Sequence, residues 1–166
     1  TVNIALVHKS DSILGMVSAP AMKKIWLSTK SNQVTKTQGS IYDRKINVAT
    51  SASHSSGDDS NFLNFLKDSG VDAQPMPLGS SLKICLAADG DVDIYPRFGP
   101  PSEWDIAAAN AVLSNVGGLL VDLESHQKLA YGKQDSVLNP RFIAISPYIN
   151  SIEVLKLVEE FNKTLL

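Results

Sequence analysis

With 166 residues, 43% of them hydrophobic, the chain falls in the single-domain range and has enough apolar material for a sizeable core, which argues against disorder. A formal net charge of −2 provides no field that would hold a nucleic-acid polymer, so any phosphate recognition must come from a few placed cations acting on a small ligand. The one cysteine, Cys85, excludes a disulfide framework, no run reaches the roughly 18 apolar residues of a membrane span, and a signal-peptide pattern is absent, so the expectation is a soluble, cytoplasmic protein with no transmembrane segment.

Residues 1–7 alternate apolar with smaller or polar residues from the first position, so the sequence opens inside a strand, and a missing upstream segment is expected. A polar turn at 8–12 leads to a returning strand at 13–18, and 24–28 extends the pattern after the Pro20 break. The polar tract from Thr29 to Ser40 predicts an exposed loop, and Ile46 to Ser51 a short strand that runs into a Ser-rich cluster. From Asp58 onward helices and strands alternate. Phe62, Leu63, Phe65 and Leu66 mark a helix before Gly70, 71–78 an extended segment, and Ser80 to Ala88 a second helix stopped at Gly90. A strand at 92–95 precedes a third helix over 105–116, which Gly117-Gly118 would close in a left-handed cap. Strands at 119–121 and 142–145 and an amphipathic helix carrying Ile152, Leu155, Leu157, Val158 and Phe161 complete the chain. This alternation predicts a layered α/β domain.

Three clusters stand out in order: Ser51-Ala52-Ser53-His54, then Gly79-Ser80-Ser81-Leu82-Lys83, then Trp104-Asp105-Ile106-Ala107-Ala108-Ala109 with Gly117-Gly118 beyond. Asp105, at a helix start and followed by alanines of little bulk, could hold a hard divalent cation while a phosphate approaches closely. It could equally be the acidic member of a capping box with Ser102. Ser80 and Lys83, placed in the first helical turn, would complete an anion pocket with the free helix amides, or serve as an ordinary cap and a solvated lysine. Arg97, beside Pro96 and Gly99, is a rigidly presented guanidinium able to grip phosphate by two parallel bonds, or an exposed loop arginine. Neither a Gly-x-Ser-x-Gly elbow nor a Walker-type loop is present.

The order and spacing of these clusters resemble the inositol monophosphatase superfamily, over a likeness running from Thr1 to about Ile145. Within it, Gly-Ser-Ser-Leu-Lys at 79–83 and Tyr95-Pro96-Arg97-Phe98-Gly99-Pro100 are most similar to the 3'(2'),5'-bisphosphate nucleotidases. The resemblance implies an inositol monophosphatase-like α/β sandwich, here the C-terminal portion with part of the N-terminal sheet, divided into strands at 1–45 and a C-terminal α/β subdomain at 46–166. It implies Mg2+ as cofactor, Asp105 as metal ligand and catalytic residue, and Ser51, His54, Gly79, Ser80, Lys83 and Arg97 as contacts to a small phosphorylated nucleotide. An inositol phosphate is the alternative substrate, and a non-catalytic nucleotide-binding domain the alternative role. Two departures touch no ligand: Ala109 stands where the family usually has Gly, and Asn115 lies near a position often acidic. A larger one is the absence of the Asp-Pro-x-Asp-Gly-Thr signature and its upstream Glu, which supply most metal ligands in the family. The chain alone is therefore expected to be inactive, and to pair with the missing N-terminal segment or form a homodimer.

Overall fold

The computed structural model describes residues 1–28, 38–51 and 57–165. Strands β1 (Val2–His8), β2 (Asp11–Ala19) and β3 (Lys24–Leu27) form an antiparallel three-stranded sheet in that order. Its first hairpin turns at Lys9 and Ser10, both in the left-handed region that suits a tight two-residue turn. The second sheet takes β4 (Ile46–Ser51), β5 (Ala73–Leu78), β6 (Ile94–Arg97), β7 (Leu119–Asp122) and β8 (Phe142–Ile145) in the order β5-β4-β6-β8-β7. The β5-β4-β6 part is parallel, and β8 runs antiparallel to both β6 and β7.

Four helices complete the layers: α1 (Gly57–Asp68), α2 (Leu82–Asp89), α3 (Glu103–Asn115) and α4 (Ser151–Lys163). Helices α2 and α3 lie between the sheets, while α1 and α4 cover the far face of the five-stranded sheet. Strand periodicity explains the partition. On β8, Phe142 and Ala144 face the inner helices, and Ile143 and Ile145 face α1 and α4; Ile94 and Tyr95 of β6 divide in the same way. The inner helices are apolar on the sides they pack, and α3 buries Ala107, Ala108, Ala109, Val112 and Leu113. Small residues let β2 approach closely: a Cβ on Gly15 would stand 2.1 Å from the Ala108 carbonyl oxygen, and Ser12 Oγ donates to the Ala107 carbonyl at 2.7 Å.

The layered α/β expectation is met. The tract predicted as a loop from Thr29 lies largely outside the described residues, as does His54. One boundary moves with consequence. The second helix starts at Leu82 with Ser81 as its cap residue, so Ser80 is not in the first turn but adopts φ +57 just before it. The chain has to reverse there between β5 and α2, and a left-handed residue makes the corner. At the far end Gly90, at φ +90, supplies the left-handed stop the sequence predicts. Cys85 is buried, and its surroundings push the thiol up to about 12, consistent with an inert structural role.

Candidate functional site

The C-terminal ends of two parallel strands and the starts of two helices converge on one cavity of about 240 Å³. Ser51 is the last residue of β4 and Arg97 the last of β6; Gly79 and Ser80 form the corner before α2, Lys83 lies in its first turn, and Asp105 lies in the first turn of α3. All six line that cavity. They come from separate stretches of sequence and meet because parallel strands present their C-terminal ends on the same side of a sheet.

Lys83 is not a solvated lysine. It is 4% exposed, its Nζ donates to the Leu78 carbonyl at 2.9 Å, and the ammonium sits 5.1 Å from the centre of the Tyr95 ring. Burial pulls its pKa below the usual lysine range, the nearby Arg97 charge pulls further in the same direction, and Asp59 opposes them. A buried cation held by a carbonyl and a ring, with no carboxylate in contact among the described residues, is suited to an anion. The corner at 79–81 is tied to the first strand: Thr1 Oγ1 lies 2.6 Å from Ser80 Oγ and 2.9 Å from Ser81 Oγ, and Ser81 Oγ donates to Asn3 Oδ1 at 2.9 Å.

At Asp105 the capping-box geometry is not formed. Ser102 is the cap residue of α3, but its side chain makes no capping bond, and the one bond between the two residues is from the Asp105 amide to the Ser102 carbonyl. The exposed Asp105 carboxylate points to the cavity, a setting that fits one ligand of a hard cation. It does not make a metal site alone. Among the described residues no three His, Cys, Asp or Glu side chains converge as metal ligands.

Two groups not among the expected site residues also belong here. Tyr95, the residue before Pro96 on β6, lines this cavity and a neighbouring one of about 160 Å³. Burial pushes its phenol up to about 12, with the nearby Arg97 charge pulling the other way. Asp59, in the first turn of α1, lines the second cavity with Ser51 and Arg97 and accepts from the Ser51 amide at 3.5 Å. Its carboxyl is raised above the ordinary range by burial, against the Ser51 amide bond and the Arg97 charge. The one sequence hint for Asp59 was an acidic pair at a helix start, which reads as dipole compensation.

Comparison with known proteins bears on the family and the fold. The sequence matches the family model of the inositol monophosphatase family over residues 1–162. It is 36% identical over 148 residues to the 3'(2'),5'-bisphosphate nucleotidase CysQ of Salmonella typhimurium, and 37% identical over 148 residues to that of Escherichia coli strain K12. In both cases the alignment covers 86% of this chain and 58% of the relative, so the chain spans little over half the length of those curated relatives. Among solved structures, CysQ from Bacteroides thetaiotaomicron superimposes with a TM-score of 0.74 at 26% identity, covering 87% of this chain and 62% of that one. An inositol monophosphatase from Zymomonas mobilis shares the fold at a TM-score of 0.69 and 19% identity, over 95% of this chain and 61% of that one.

Proposed function

The chain belongs to the inositol monophosphatase family, and from that premise we propose that it is the nucleotide-gripping part of a cytoplasmic, Mg2+-dependent phosphatase acting on 3'(2')-phosphoadenosine 5'-phosphate. The observation that carries the reading is the meeting of Ser51, Gly79, Ser80, Lys83, Arg97 and Asp105 on one cavity. Two cations there, one buried and one half-buried, offer more than a single monophosphate needs, which favours a bisphosphorylated nucleotide over an inositol monophosphate. The bisphosphate nucleotidases named above supply the substrate class. Among the described residues no helix is long and apolar enough to cross a membrane.

Lys83 and Arg97 neutralise and orient the phosphates, and the Ser80 hydroxyl, at the corner before α2, adds a short-range donor. When bound, Mg2+ ions would activate a water and stabilise the leaving oxygen. Asp105 would give one ligand; the others would come from the part of the relatives that this chain does not cover. Arg97→Ala tests the substrate class. Loss of one charge-assisted contact should weaken a bisphosphorylated adenosine by about 1.5 to 3 kcal/mol and a monophosphate much less, as read by titration calorimetry. Equal losses on both would place Arg97 elsewhere in the mechanism.

A binding role without hydrolysis is favoured for residues 1–166 by themselves, because Asp105 is the one carboxylate lining the cavity among the described residues. In millimolar Mg2+ this chain should release negligible phosphate from the bisphosphate while still binding it. The outer face of the three-stranded sheet carries Val2, Ile4, Leu6, Ile25 and Leu27, each more than half exposed. Such a face seeks cover, so the chain should pair with the remainder of the longer protein or with a second copy of itself. Sedimentation velocity showing a monomer at tens of micromolar would count against the second arrangement.

A further inference from the structure

We propose that Lys133, acting through Glu103, is a positioning residue for Asp105, and that residues 130–139 form a strap that fixes the first turn of α3 and the cavity wall beside it; this rests on the reading of Asp105 as a ligand of Mg2+. Helix α3 begins without help from its own serine. The Ser102 side chain makes no capping bond, although the first amides of a helix have no partner within it. The strap takes the place of the cap. The Val137 carbonyl accepts from the Glu103 amide at 2.8 Å, Leu138 forms a bridge with Ser102, and the Pro101 carbonyl accepts from the Asn139 amide at 2.8 Å. Pro101 and Asp105 line the cavity of about 240 Å³ and residues 130–139 do not, so the strap acts on the wall and not on the ligand.

Lys133 closes the strap on itself. An ammonium has three protons to give, and Lys133 Nζ donates to Glu103 Oε1 at 2.5 Å, to the Ala130 carbonyl at 3.0 Å and to Asn139 Oδ1 at 2.7 Å. One charge thereby joins both ends of the strap to the start of the helix. Glu103 is engaged as fully, since Oε2 accepts from the Gly132 amide at 2.7 Å and Oε1 also from the Lys133 amide at 3.3 Å. The Lys133 side chain is 24% and the Glu103 side chain 15% exposed, and Asn139 is buried, so these bonds are less screened by water and salt than those of a surface pair. Two residues of a helix turn through about 200°, which lets Glu103 grip the strap while Asp105, in the same turn, faces the cavity. Whatever holds Glu103 therefore sets where the Asp105 carboxylate stands.

A single substitution would leave one charge unpaired near the cation and mix a change of field with a change of geometry. Glu103→Gln together with Lys133→Met removes both charges, keeps their local sum and cuts the charged bonds of the strap. In the full-length protein, Mn2+ titration followed by electron paramagnetic resonance reads cation binding without turnover, and phosphate release from adenosine 3',5'-bisphosphate in saturating Mg2+ gives KM. Cation affinity should fall about ten-fold in the double variant, the loss usual when the support of a metal ligand is removed. KM for the bisphosphate should stay close to the parent value, because Lys83 and Arg97 stand on α2 and β6. Should this pair melt too low to assay, Glu103→Gln with Lys133→Gln keeps hydrogen-bonding side chains and the same local charge, and is held to the same outcomes. Cation affinity equal to the parent's, with that of Asp105→Asn weakened, overturns the proposal and leaves the site reading intact. A KM that rises in step with the cation constant shows a pair serving the fold as a whole, and also overturns it. If Asp105→Asn binds the cation as the parent does, the reading of Asp105 fails and the proposal with it.

Discussion

Replacing Asp105 with Asn in the full-length protein should lower Mg2+-dependent turnover by two orders of magnitude or more while leaving the thermal midpoint nearly unchanged. The substitution keeps the shape of the side chain and removes one anionic oxygen from a hard cation's ligand set. The structure removes the usual reason to expect a cost in folding. Asp105 is exposed at the cavity, its carboxylate forms no capping bond, and the first turn of α3 is held by other contacts. The Glu103 carboxylate accepts from the Gly132 amide at 2.7 Å and from Lys133 Nζ at 2.5 Å, and the Glu103 amide donates to the Val137 carbonyl at 2.8 Å. Steady-state phosphate release across a Mg2+ series, beside a melting curve, reads both. An Asp105→Asn enzyme with near-normal turnover would remove Asp105 from the ligand set.

Gly15→Ala should be among the most destabilising single-methyl changes available in this chain. The added carbon would meet the Ala108 backbone oxygen at 2.1 Å, far inside contact distance, and the obstruction is main chain rather than a side chain that could rotate away. On the other side, Gly15 is fixed by its pairing with Ala5 and by a bond from its amide to Ser28 Oγ at 2.6 Å. Sheet and helix must therefore separate, which opens the core where Val17 and Trp26 pack against α3. Overpacking typically costs about 1 to 3 kcal/mol, and a clash with main chain belongs at the upper end, ~3 kcal/mol. For a domain of this size that is a fall of about 6 to 12 °C in the melting midpoint. A melting curve within two or three degrees of the parent would mean that the sheet rides on α3 more loosely than this geometry allows.

Local chemistry made much of this readable. β4 and β8 begin and end where the sequence predicts their strands, and Gly90 and Gly117 stop their helices in the left-handed conformation that glycine permits. Short-range signals of that kind need only neighbouring residues. The same holds for the motif residues: Ser51, Gly79, Ser80, Lys83, Arg97 and Asp105 could be named because they lie in recognisable strings. Ser80 shows the limit of such reasoning, since helical spacing could not reveal that the chain must turn a left-handed corner before α2.

What the sequence by itself determined, then, was the succession of elements, the family and the residues with the chemistry for phosphate. Only the tertiary structure decided what those residues are to one another. Lys83 reads from sequence as an anion contact or a solvated lysine, and is a buried ammonium because α2 packs between two sheets and lays that position over Tyr95. Tyr95 and Asp59 were not among the expected site residues, and they enter the site because β6 and α1 bring them beside Arg97 and Ser51. The physical reason is that burial, and with it the strength of every charge and hydrogen bond in the cavity, depends on groups dozens of residues away in the chain. Periodicity records which face of an element is apolar, but only packing fixes which other face it meets.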